Sequence, residues 1–455
     1  MTPATSLSPL SDRRVVTGWI SYWDLDEGLA SVLDHPSLLA EVSPFWYRIT
    51  KASQVQPMDG NNRPESDLID AIDQLHAAGI AAYPSVKDDG FGGHEMAQLL
   101  GDKQSRRDLV NALVDMSVRT GADGVDIDFE EMNYGGSGNE RTAVKRLYPI
   151  FLAQLQSKLH ALNKVLSVAV PARRSASDNN WETVDYNAIG KVVDRARVMT
   201  YDYSTDRPGP IGPIDWTRKV AEYAHKEFRG VPLSIGVPAY GRNWYLKTLR
   251  GSCPSAAKTT VAPTTEQAFD LANKYGADIK WSKDAGEYHF DYRRPYPEYG
   301  KCVVMRRVWF EEARSAEERL LLAERLGVQG ISVFTFGFED PKLWARARKV
   351  AISINPDHAK VSVKAPATAT SGDTITINGR VTVNGTPVTT QTVSLQKRVP
   401  GKAWREVVDL VTDGNGKVTY SSSISRTLDW RLRLAASWDW RTSYSGSERV
   451  LVSAP

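Results

Sequence analysis

Cysteine is scarce in this chain: Cys253 and Cys302 are the only two in 455 residues, and the seven histidines are scattered. No cluster of metal-ligand spacing can be assembled from them, so neither a metal nor a cofactor is expected. Long apolar runs are also missing. None approaches the roughly 20 residues that a membrane helix needs, which argues against a membrane-embedded protein. Charge of one sign is not in excess either. A net charge of +3, spread along the chain, gives no basic face for nucleic acid. The opening residues "MTPATSLSPLSDRR" carry no apolar core of the secretory type. The pair of cysteines nonetheless tilts the reading toward one bridge and an oxidising compartment, outside the cell.

What is present is ordinary globular material, 41% hydrophobic and 24% charged. The length suits a large barrel-sized unit plus an extra module. Eight short β-prone runs recur, at 14–23, 42–49, 79–86, 121–130, 165–172, 196–203, 231–240 and 328–336. Amphipathic stretches with helical spacing lie between several of them, at 66–79, 106–121, 140–162 and 315–327. Strand–helix alternation repeated eight times is the pattern of a (β/α)₈ barrel of the α/β class, expected over 14–353 after an N-terminal tail of 1–13. Several strands are apolar on both faces, as a parallel sheet covered by helices requires.

Between the seventh and eighth runs lie about ninety residues, where one helix needs about a third of that. The excess, about 249–310, reads as a small α+β insertion with Cys253 and Cys302 near its two ends. After a linker at 354–361 the composition turns to Thr, Ser and Val. Turn signals "VNGTP" and "TDGNGK" separate alternating runs, which predicts an all-β, immunoglobulin-like sandwich over 362–455.

One strand stands out. "GADGVDIDFEEMNYG" (121–135) sets Asp126, Asp128 and Glu130 two residues apart, with Val125, Ile127 and Phe129 between them. On a strand, the period of two sends the acids to one face and the apolar residues to the other. In a parallel barrel the apolar face meets the helices. The acids then point inward, with Glu130 nearest the C-terminal mouth where barrel active sites lie. Like charges in a desolvated site raise one another's pKa, which predicts a protonated acid at the mouth above a proton-sharing pair. Such a set suits acid/base catalysis.

"DGVDIDFE" (123–130) resembles the D-G-x-D-x-D-x-E signature of family-18 glycoside hydrolases, the chitinase-like enzymes. "VMTYDY" (198–203) and "IGVPAYGRNW" (235–244) are similar to that family's sixth- and seventh-strand segments, in family order. The stretch from Pro171 to Trp216 is most similar to the branch that includes spore-cortex-lytic enzymes, which cleave peptidoglycan glycan strands. The resemblance covers about 14–350 and implies a retaining hydrolase of glycans containing N-acetylglucosamine, working as a monomer. Glu130 would be the general acid, and the substrate's own N-acetyl oxygen the nucleophile. Asp128 would orient the acetamido group, with Asp126 behind it holding or sharing a proton. Tyr201 would bond the acetamido carbonyl and Asp202 assist at the leaving sugar. Met199 would line the pocket. Tyr240 and Arg242 would sit at the mouth, Arg242 either touching sugar or pairing with a rim acid.

Two departures from the family pattern stand in the sequence. Phe334 occupies the position of the eighth-strand Trp that floors the site, offering an apolar face of smaller area. The third strand, "AAYPSVKDDGFGG", does not match the S-x-G-G of many chitinases, and "DDGFGG" could be a simple flexible turn. Trp23, Trp46, Tyr47, Trp216, Trp244 and Trp281 are candidate sugar-stacking residues, Trp23 foremost. Trp438 and Trp440 leave open whether the sandwich binds glycan or serves as a spacer. A non-catalytic, glycan-binding relative of the same fold is the rival reading; the presence of Glu130 favours the enzyme.

Overall fold

The computed structural model describes residues 15–51, 53–58, 63–178, 181–353, 359–383, 385–435 and 442–454. The expected N-terminal tail, most of the 354–361 linker, and Trp438 and Trp440 lie outside the described residues. The chain divides into two compact units, Arg14–Ile352 and one that contains Ser353–Pro455.

The first unit is a closed barrel. Its strands are β1 (Val16–Ser21), β2 (Leu39–Ile49), β3 (Ser85–Lys87), β4 (Gly124–Asp128), β5 (Val165–Pro171), β6 (Arg195–Met199) and β7 (Leu233–Pro238), with the eighth at Gly330–Phe334. Each pairs in parallel with its sequence neighbours, and β1 closes the ring against both β2 and the eighth strand. The helices that separate them lie where the periodicity placed them, at Glu65–Ala77, Lys103–Arg119, Gly138–His160 and Ala313–Leu326. Ser137 and Glu140 form a reciprocal capping box at the start of the third of these. Gly327, left-handed at φ 70°, ends the fourth.

Parallel pairing sets side chains in layers. Ser85 of β3 stands opposite Asp126 of β4, and Asp126 opposite Ser167 of β5. One layer up, Lys87 stands opposite Asp128. The alternating residues face the shell: the Phe129 ring lies 6.0 Å from that of Tyr148 and 5.9 Å from that of Phe151, both on Gly138–His160.

The insertion is an antiparallel sheet of β8 (Gly241–Arg250), β9 (Lys280–Ser282), β10 (Glu287–Tyr296) and β11 (Cys302–Phe310), in the order β8-β11-β10-β9, with a helix at Thr265–Tyr275. The eighth barrel strand, Gly330–Phe334, is therefore β12. The sheet begins at Gly241 rather than near 249, because the chain leaving β7 runs almost directly into β8. Gly241 permits this: a Cβ there would lie 2.4 Å from the Trp309 carbonyl oxygen. Cys253 and Cys302 are bonded, with Cα atoms 5.1 Å apart.

Where the insertion meets the barrel, Arg319 is fully buried beside two buried carboxylates, Glu311 at 2.6 Å and Glu287 at 3.7 Å. One guanidinium balances one carboxylate, so burial holds both acids above their ordinary pKa, Glu287 at about 7. The second unit packs two β-sheets around Val361, Ile375, Ile377, Leu395, Trp430, Leu432 and Val450, an all-β sandwich.

Candidate active site

The acids of β4 have unequal surroundings. Asp126 is fully buried and takes hydrogen bonds from three fixed donors: Ser85 Oγ at 2.6 Å, Ser167 Oγ at 2.6 Å and Trp19 Nε1 at 3.0 Å. Arg197, itself buried, approaches the same carboxylate at 3.5 Å and lies over the Trp19 ring, 5.1 Å from its centroid. The shared hydrogen bond that a proton-sharing pair of Asp126 and Asp128 would need is not found among the described residues. Donors from four other strands take up the Asp126 carboxylate instead.

Asp128, one layer higher, is 4% exposed, and its Oδ1 has no hydrogen-bond partner. Burial pushes its pKa well up and the nearby Glu130 adds to this, with Lys87 opposing. Glu130 stands at the mouth with its side chain 31% exposed and its Oε1 3.5 Å from Lys87 Nζ. Burial raises its pKa too, again against Lys87, with Asp202 and Glu131 adding to the rise. Two carboxyl groups with raised pKa values, one below the other at a barrel mouth, are an arrangement that can serve acid/base chemistry.

Opposite them stands an aromatic floor. Met199, Trp19, Phe45 and Ala169 form a buried cluster against which Tyr201 and Phe334 pack. The Phe334 ring lies 5.8 Å from Trp19, 5.7 Å from Phe45 and 6.1 Å from Tyr201. Asp202 holds a left-handed backbone at φ 57°, a conformation that Asp tolerates better than most residues. Its Oδ1 accepts from Tyr240 Oη at 2.9 Å and from Arg242 Nη2 at 2.7 Å. Of the two readings of Arg242, the pairing to a rim acid is the one found. A cavity of about 240 Å³ opens beside these residues, lined by Asp202, Tyr240, Arg242, Thr264, Phe334 and Phe338. A larger groove of about 710 Å³ lies among Arg107, Val110, Ile150 and Lys158, and its lining carries no carboxyl group.

A family model described as "Glycosyl hydrolases family 18" matches residues 60–339. The chain belongs to this family. Its barrel is thus a glycoside hydrolase domain. It is 30% identical over 251 residues to the cortical fragment-lytic enzyme of Bacillus subtilis (strain 168), an alignment covering 54% of each chain. Among solved structures, the spore cortex-lytic enzyme SleL of Bacillus megaterium QM B1551 shares the fold at TM-score 0.61 and 22% identity, over 75% of each chain. The chitinase of Chromobacterium violaceum ATCC 12472 does so at TM-score 0.61 and 23% identity, over 74% of this chain and 98% of that one.

Not every aromatic expected at the rim of this family 18 barrel is there. Trp46 and Tyr47 are buried, as is Trp244, whose Nε1 donates to the Thr205 carbonyl. Neighbouring residues on β2 face core and helix shell in turn, so both are covered. Trp216 packs on Tyr203 at 5.2 Å and Trp281 under the Arg314 guanidinium at 4.0 Å. Trp23 is 39% exposed and meets Phe45 edge-on at 5.9 Å.

Sequence reading missed Lys87, Asp88, Ser85, Ser167 and Arg197. The available signal was polar residues inside otherwise apolar strands, as in "YPSVK", "VLSVAV" and "RARVM". "DDGFGG" is more than a flexible turn: Asp88 is fully buried and accepts the backbone N–H groups of Glu130, Glu131 and Met132 at 2.9, 3.0 and 2.8 Å.

Proposed function

We propose that the barrel hydrolyses β-linked glycans containing N-acetylglucosamine, with retention of configuration and with the substrate's acetamido group as nucleophile. The observation that carries this reading is the ladder on β4: a partly exposed Glu130 at the mouth, directly above a buried Asp128 whose Oδ1 lacks a partner. Glu130 gives its proton to the glycosidic oxygen as the C–O bond breaks. The acetamido carbonyl oxygen bonds to the anomeric carbon and forms a cyclic cation. Asp128 accepts the acetamido N–H and offsets the positive charge. Tyr201 donates its hydroxyl to the acetamido oxygen, and Phe334 lies under the ring. Asp202, held by Tyr240 and Arg242, serves the leaving sugar. Water then opens the cyclic cation as the Glu130 carboxylate takes its proton.

The substrate we assign is a bacterial wall glycan, outside the cell. Support comes from the relative at 30% identity, which is named for lysis of cortical fragments, whereas likeness to a chitinase at 23% speaks for the fold alone. The sandwich is then a spacer of immunoglobulin-like type. Digestion of purified peptidoglycan and of chitooligosaccharides in parallel tests this, with fragments read by mass spectrometry. Cleavage of peptidoglycan at an N-acetylglucosaminyl bond is the expected result. Binding of both glycans with cleavage of neither would hand the molecule to the lectin reading.

A further inference from the structure

We propose that Lys87 and Asp88, successive residues at the end of β3, position and tune the acid, Lys87 acting on its carboxyl group and Asp88 on its backbone. This rests on the reading of Glu130 as the proton donor. Strand alternation sends the two side chains opposite ways, and both are engaged with the same short segment that follows β4.

Lys87 enters the mouth in the same layer as Asp128. Its side chain passes Phe45, with Nζ 5.7 Å from the ring centroid, and ends 3.5 Å from Glu130 Oε1. Burial works against the ammonium, yet Asp128, Glu130 and Asp88 around it hold its pKa above the ordinary lysine value, so it stays charged. Asp88 points away from the mouth and ties down three consecutive N–H groups, the first belonging to Glu130. Those N–H groups follow the strand end and have no ladder partner, so a buried carboxylate is what satisfies them.

The Lys87 contact acts at two stages. When Glu130 delivers its proton to the leaving oxygen, it becomes a carboxylate beside the Lys87 ammonium, which favours the transfer. That carboxylate is also the base for the water that follows. Other groups around Glu130 push the opposite way: Asp202 from the segment after β6 and Glu131 from its own turn both raise its pKa. Asp88 and Asp128 are charge neighbours as well. The hydroxyls of Tyr134 and Tyr201 face the same field and are themselves raised, chiefly by burial. Removing the cation from this mostly acidic surround leaves Glu130 protonated to higher pH.

The test is the pH profile of kcat/KM and of kcat on a glycan that the wild type cleaves, for wild type, Lys87→Met, Lys87→Gln, Lys87→Arg and Asp88→Asn. Both neutral Lys87 variants are expected to move the alkaline limb of kcat/KM up by about one pH unit and to lower kcat near neutrality. Lys87→Arg restores the wild-type limb. Asp88→Asn keeps the Oδ1 acceptor but loses the one for Met132, and is expected to lower kcat about tenfold with KM little changed. An unmoved limb with a raised KM in the Lys87 variants would overturn the inference and make Lys87 a sugar contact. If the wild type cleaves no glycan, the functional reading itself falls and takes the inference with it. An active wild type beside unmoved variants removes the inference alone.

Discussion

Glu130→Gln is expected to lower kcat about 10³-fold, within the range that a positioned acid contributes, while leaving glycan affinity almost unchanged. The reason lies in its surroundings. Glu130 reaches the mouth with its side chain 31% exposed and its pKa raised by burial, whereas Asp128 below it is buried. Glutamine keeps the size and the backbone ties to Asp88 but carries no transferable proton. The floor of Phe334, Trp19, Phe45 and Met199 is untouched, so binding survives. Equilibrium binding by calorimetry beside turnover separates the two quantities. A variant that kept more than about a tenth of wild-type turnover would place the acid elsewhere.

Asp128→Asn is expected to cost about 10²- to 10³-fold in kcat, with a smaller change in KM. Asp128 lies one layer below the acid, 4% exposed, with a free Oδ1. Burial, and Glu130 beside it, raise its pKa, so its negative charge is poorly compensated in the resting site. A cation forming at the anomeric centre supplies that compensation, and the Asp128 carboxylate offsets the charge. Asparagine can still orient an acetamido group, but it cannot offset the charge. The loss therefore falls on the chemical step, which single-turnover rates on a labelled oligosaccharide would isolate. A loss seen only in KM would make Asp128 a binding group.

The part of this site that could be read from the sequence is the part that lies on one strand. Asp126, Asp128 and Glu130 share a face because of the strand period, and their local signature names the family. Met199, Tyr201, Tyr240 and Phe334 followed from segments of similar kind, and they gather where the barrel mouth brings β6, β7 and β12 together. What stayed hidden was built by register between strands far apart in sequence. Ser85, Ser167, Trp19 and Arg197 converge on Asp126 from four strands, and nothing in any one segment announces it. Lys87 went unread inside a stretch noted only for not matching S-x-G-G, and its register places it opposite Asp128. Trp46 and Tyr47 failed as rim residues for a related reason: an aromatic on a strand covered on both sides has no free face. Trp244, on the insertion sheet, is buried with its Nε1 bonded to the Thr205 carbonyl.

Substrate-assisted retention is the central claim, and the anomeric form of the first product tests it most directly. Proton NMR of a fresh digest, followed before mutarotation mixes the anomers, should show the β-anomer at the new reducing end. If the α-anomer came first, water would have attacked the sugar directly, and the roles given to Asp128 and Tyr201 would be wrong.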